Sequence, residues 1–133
     1  MMWSAIWPAL LLQAAPTTPQ VDCDNAMTQA AMNLCAGRDF QAADRALNRQ
    51  WSKTAAEMRR RDKAMTRGDG RPGYFDALLD AQRKWLAYRD AHCRSEGYMA
   101  RGGSMEPMLV GTCKADLTRK RTAQLRDLIE WGN

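Results

Sequence analysis

Four cysteines and a single histidine are the residues of this 133-residue chain best suited to chemistry. Their spacing narrows what that chemistry is. Cys23, Cys35, Cys93 and Cys113 contain no C-x-x-C pair, and His92 stands alone. A structural zinc site needs four closely spaced Cys and His ligands, so no metal and no other cofactor is expected. An even set of cysteines in an exported chain pairs into disulfides instead. Oxidised sulfur supplies no thiolate, and no G-x-S-x-G elbow or phosphate-cradling glycine loop is present. The chain does not read as an enzyme.

A second group of polar residues sits where apolar ones are expected. In "LLDAQRKWLAYRDAHC" the stripe at helical spacing runs Leu78, Leu79, Gln82, Trp85, Leu86, Arg89, Cys93. An unpaired buried guanidinium costs several kcal/mol in lost hydration, so Arg89 needs a carboxylate. Asp44 borders an apolar stripe in the same way, four after Phe40 and three before Leu47. Arg121 lies four from both Leu117 and Leu125. With Asn48 and Gln82 on the same faces, these residues predict an interior polar network that holds helix register. His92 falls one position off the stripe and is expected at the surface. The row Arg45, Arg49, Lys53 and the run "RRRDK", Arg59 to Lys63, form a basic outer face.

The elements that must position these groups are helices. Thr28 is a good N-cap before a short segment that Gly37 is expected to end. A long segment follows from Asp39 to about Thr66, with Phe40, Ala43, Leu47, Trp51, Thr54, Met58 and Met65 stepping by three and four. "RGDGRPG" is a loop. A third segment spans about Tyr74 to Met99. "RGGSMEP" is the next loop, with Ser104 a possible cap. A last helix covers about Met105 to Glu130, with Leu109, Cys113, Leu117, Leu125 and Leu128 inward. The expected fold is all-α: a small, disulfide-stapled antiparallel bundle of one short and three longer helices. A hairpin across "RGGSMEP" favours Cys93–Cys113, since a bridge needs Cα atoms about 4.4–6.8 Å apart. That leaves Cys23 for Cys35. A helix between them pushes those two apart, so Cys23 to Ala26 must fold back along it. Crossed pairings stay open.

The first 21 residues carry no charge, and Trp3 to Leu12 is an apolar run far shorter than the roughly 20 residues of a membrane span. Residues 1–20 read as an export signal, with Ala14 and Ala15 near the cleavage point. Residues 22–133 read as one domain, periplasmic or secreted. Asp22 stands where a lipid-attachment motif requires a small residue. Twenty Lys and Arg against fifteen Asp and Glu give a net charge of +5, a balance that favours anionic partners.

The ordered set T-Q-x-x-M-N-x-C-A (from Thr28), A-D-x-x-L-N (from Ala43), A-Q-R-x-W-x-x-[FY]-R-D-A-x-C (from Ala81), G-G-S (from Gly102) and L-T-x-x-R (from Leu117) resembles the LprI-type lysozyme-inhibitor family, over Asp22 to about Leu128. The resemblance implies an exported helical domain that inhibits a host or rival lysozyme. Ala31 departs from the family pattern, which often places Glu there to complete a capping box with the Thr. The family's named inhibitor is a lipoprotein, and this chain has no lipid-attachment motif.

Two uses compete. A lysozyme inhibitor would occlude the enzyme's cleft. Many lysozymes are basic, so acidic loop residues would have to make the contact; Asp69, Glu96 and Glu106 are the candidates. Alternatively, the basic face would make the domain an envelope binding or structural module for anionic wall polymer or lipid. Nucleic acid is not an expected partner of an exported, disulfide-bonded chain.

Overall fold

Thr28 starts the first helix as its N-cap, its Oγ1 accepting from the Ala31 amide at 3.1 Å. With Ala31 in place of a glutamate, only half of a capping box forms. The computed structural model describes residues 13–16, 20–65 and 68–131. The apolar run from Trp3 to Leu12, expected to direct export, lies outside them. Three helices follow: α1 (Gln29–Ala64), α2 (Tyr74–Gly97) and α3 (Glu106–Glu130), with short 3-10 turns at Cys23–Asn25 and Tyr98–Ala100. The described residues contain no strand, and none of the helices is long and apolar enough to cross a membrane.

The expected break at Gly37 does not occur. The short and long segments are one 36-residue helix, and Gly37 is not left-handed. A glycine inside a helix costs only about 0.5–1 kcal/mol. Contacts on both sides of it outweigh that: Cys35 is bonded to Cys23, Ala36 packs on Gly111, and Asp39 pairs with Arg119. Among the described residues the bundle therefore has three helices and no separate short one.

Contacts along the helices define an up-down-up arrangement. Asn33 Nδ2 donates to the Ser104 carbonyl at one end of α1, and Thr54 Oγ1 donates to the Leu125 carbonyl near the other. So α1 and α3 run parallel, and α2 runs antiparallel to both. The most extensive contact is between α1 and α3, and small residues permit it. A Cβ built on Gly111 would stand 3.1 Å from the Ala36 carbonyl carbon, and Ala43 and Ala115 are buried alongside.

The centre of the core is Leu47, Ala55, Met58, Leu78 and Leu125, ringed by Trp51, Tyr74, Phe75, Trp85 and Ile129. The predicted stripes hold there and fail at their rims. Leu86, Leu128 and Met65 face solvent. The second helix starts under an unusual cap. Asp62, on the last turn of α1, accepts from the Tyr74 and Phe75 amides at 2.7 and 3.0 Å, placing a carboxylate at a helix N-terminus. Ser104 does not cap α3. Met105 holds that position without a side-chain bond, and Pro107 follows in the first turn. A proline there removes one amide that would otherwise need a partner.

Candidate functional site

Arg89 sits in the middle of α2 and is 6% exposed. All three helices supply its surroundings. Its Nη1 lies 3.5 Å from Asp44 Oδ1 of α1 and donates to Thr118 Oγ1 of α3 at 3.3 Å. Its Nε donates to Asp90 Oδ1 at 3.0 Å. The guanidinium also lies over the rings of Phe40 and Trp85, at 5.0 and 5.3 Å from their centroids. Lys114 shares Asp90 at 3.8 Å and covers Phe40. Arg89 is thus a buried cation between aromatic faces, neutralised by two half-exposed carboxylates.

Arg121 belongs to a separate layer. Its Nε donates to Gln82 Oε1 at 2.9 Å and its Nη1 to Gln124 Oε1 at 3.2 Å, while Nη2 is buried without a partner. Among the described residues no carboxylate answers this charge, and burial pushes its pKa below the ordinary arginine value. Asn48 does not join either layer. It is exposed, and its contribution is a backbone carbonyl that accepts from Ser52 Oγ. Two members of the Arg89 cluster, Asp90 and Thr118, escaped the sequence reading. Thr118 had a signal: it lies seven before Leu125, on the same helical face. Asp90 had none, because it is reached sideways by the long arginine side chain.

The α2–α3 end is held from below. Cys93 pairs with Cys113 at a Cα separation of 5.5 Å, and Cys23 with Cys35 at 5.5 Å. The second bridge forms because Cys23–Asn25 turns back beside α1, where the Val21 carbonyl accepts from Arg38. Above the Cys93–Cys113 bridge, the loop turns at Gly102, whose φ of +77° suits glycine, and the Gly102 amide donates to Glu106 Oε2 at 2.7 Å. Tyr98, Met99 and Met105 are exposed on this loop, Met99 by 86%. Arg101 lies over the Tyr98 ring at 4.6 Å.

The three loop acids do not share a surface. Glu96 and Glu106 lie at this end, while Asp69 lies at the opposite end of α2, about 36 Å away at 1.5 Å per residue. Asp69 is engaged by Arg71 at 2.7 Å. His92 is half exposed, as expected, stacked on Tyr88 and 3.8 Å from Glu96. With Cys113 the two make the one cluster of metal-type ligands among the described residues. The Cys113 sulfur is already bonded to Cys93, so it offers no thiolate. Arg45, Arg49 and Lys53 are all exposed along the outside of α1, and none makes an ion pair among the described residues.

Chemically, the interior groups are committed to their own chain. They fix three helices against one another. Exposed surfaces include the loop above Cys93–Cys113, the outer side of α1 and the end of α3 at Leu128 and Trp131.

A family model described as lysozyme inhibitor LprI matches residues 22–125. An uncharacterized protein of Rhizobium meliloti (strain 1021) is 46% identical over 125 residues, covering 91% of this chain and 90% of its own length. No solved structure matches the chain.

Proposed function

Because the chain belongs to the LprI lysozyme inhibitor family, we propose that it is an exported, non-catalytic protein that binds a lysozyme and blocks its cleft. The observation that carries this reading is the family match across residues 22–125. Two disulfides suit an oxidising compartment, and the apolar run from Trp3 to Leu12 would direct the chain there.

The contact surface in this reading is the α2–α3 loop. Tyr98, Met99 and Met105 offer exposed aromatic and methionine side chains, the types enriched in interfaces. Glu96 and Glu106 add negative charge beside them, which suits a cationic enzyme. The Cys93–Cys113 bridge holds the base of the loop, so less ordering is needed on binding. Asp69 is too distant to take part.

The test is a turbidity assay with a bacterial wall suspension. The purified protein is expected to slow lysis in proportion to its concentration. A Tyr98→Ala/Met99→Ala variant should lose at least tenfold in potency while unfolding at the same temperature. Unchanged lysis at large molar excess, against chicken-type, goose-type and bacterial lysozymes alike, would refute the reading.

A further inference from the structure

The charges of α1 are segregated around its axis. At 3.6 residues per turn, Arg38, Arg45, Arg49, Lys53, Arg60 and Lys63 fall within about 40° either side of Arg49. Between Arg38 and Lys63, only Ala42 and Ala56 share that arc, and all eight residues are exposed. The row is about 38 Å long. The acids of α1 point elsewhere: Asp39 and Glu57 about 80° to one side, Asp44 and Asp62 about 140° to the other. Each is occupied. Asp39 holds Arg119, Asp44 holds Arg89, Glu57 holds Arg60 and Arg61, and Asp62 caps α2.

The row carries six positive charges and no acid, against an excess of +5 for the whole chain. Arg45, Arg49, Lys53 and Lys63 make no ion pair among the described residues. Such a strip repels itself and gains by meeting fixed negative charge.

The shape and composition of the strip select the partner. It carries no large apolar side chain, so it lacks the wedge that seats an amphipathic helix in a lipid interface. It is narrow and convex, which suits a chain better than a plane. Four of its six cations are arginines, whose planar forks bind phosphate oxygens in pairs. Each i, i+4 step rises about 6 Å, a spacing that successive phosphates of an extended polymer can follow. We propose that the outward face of α1 is a docking strip for a linear, phosphate-bearing polyanion. This does not rest on the inhibitor reading, because the α2–α3 loop lies off the strip.

Long-chain linear polyphosphate, labelled for fluorescence anisotropy, is the probe. Binding to the purified protein is expected to weaken with salt at a log–log slope of about −3.5, from five contacts at about −0.7 each, since Arg60 is held by Glu57. Arg45→Glu/Arg49→Glu/Lys53→Glu should lose at least 100-fold in affinity. Arg83→Glu/Arg94→Glu/Lys120→Glu makes the same change in net charge at exposed sites off the strip and should lose less than fivefold. The milder Arg45→Gln/Arg49→Gln/Lys53→Gln should lose about tenfold and flatten the slope by about 2, which keeps the test sound if the reversed variant folds poorly. Equal losses from both reversed triples would overturn the proposal. So would tighter binding to anionic phospholipid vesicles than to the polymer at equal phosphate, or full competition by orthophosphate at equal phosphate. The Arg45/Arg49/Lys53 variants should still slow lysis in the lysozyme assay, so the two proposals fail separately.

Discussion

The two disulfides close loops of similar size, yet their removal should have unequal consequences. A chain-entropy estimate gives about 3.3 kcal/mol for the Cys93–Cys113 separation of 20 residues and about 2.8 kcal/mol for the Cys23–Cys35 separation of 12. On entropy alone the two are nearly equal. The folded state separates them. Cys93 and Cys113 are 0% and 6% exposed, and they join two helices that both pack into the core. Without their bond the native structure has no partial opening that recovers the lost constraint, so the full cost should appear in global unfolding. The segment holding Cys23 has no buried residue and is tied to α1 mainly by the bridge and by Arg38 on the Val21 carbonyl. Released, it can fray while the bundle stays folded, and the loss is capped at the free energy of that local opening. Urea unfolding followed by far-UV circular dichroism should therefore show Cys93→Ala/Cys113→Ala destabilised by about 3 kcal/mol. Cys23→Ala/Cys35→Ala should lose less than about 1 kcal/mol and show faster hydrogen exchange confined to residues before Gln29. Equal losses, or a larger loss for the N-terminal pair, would refute the reasoning.

Other perturbations probe the packing and the charges. Gly111→Ala should cost about 1–3 kcal/mol in urea unfolding, because its methyl would crowd the Ala36 backbone. Gly37→Ala meets nothing within 4 Å and should stabilise by up to about 1 kcal/mol. Arg89→Ala should cost about 3 kcal/mol, since it removes a cation from two aromatic faces and strands the Thr118 hydroxyl. Asp44→Asn should cost under about 1 kcal/mol, because Asp44 is 41% exposed and Asp90 still answers the arginine; comparable losses from the two would sink that account. Hydrogen bonds from Arg60 and then Arg61 hold the Glu57 carboxyl at about 2, below its usual 4.5. A folded pKa below the unfolded one contributes stability above the ordinary pKa and loses it as pH falls. Melting temperature should thus drop between pH 4.5 and about 2, and Glu57→Gln should flatten that drop.

What the sequence made legible was local or rested on strong one-dimensional spacing. Thr28 as a cap, the favoured pairing of Cys93 with Cys113, and Arg89 facing Asp44 all follow from steps of three and four along a helix or across one short loop. What it concealed depends on contacts between distant segments. Gly37 looked like a stop because its local cost is visible, while the Ala36–Gly111 approach that outweighs it joins residues far apart in sequence. Leu86 and Leu128 lie at the solvent edge of their helical faces, which stay covered further along at Cys93 and Ile129. The expected single network divides: Arg121 finds Gln82 and Gln124 in one layer, Arg89 and Asp44 stand in another and Asn48 in neither, a division that depends on how α2 and α3 are layered. The same dependence shaped the two candidate surfaces. Glu96, Glu106 and Asp69 are all loop acids in the sequence, and only the up-down-up course puts Asp69 at the far end. Arg45, Arg49 and Lys53 were visible as a row, but a helix starting at Asp39 excludes Arg38. Once α1 runs through Gly37, Arg38 joins one end of that row, and Arg60 and Lys63 extend it at the other. The continuity of one helix thus lengthens a basic row of about 27 Å, from Arg45 to Lys63, into a strip about 38 Å long. A break at Gly37 would have shortened the strip at the end where Arg38 stands.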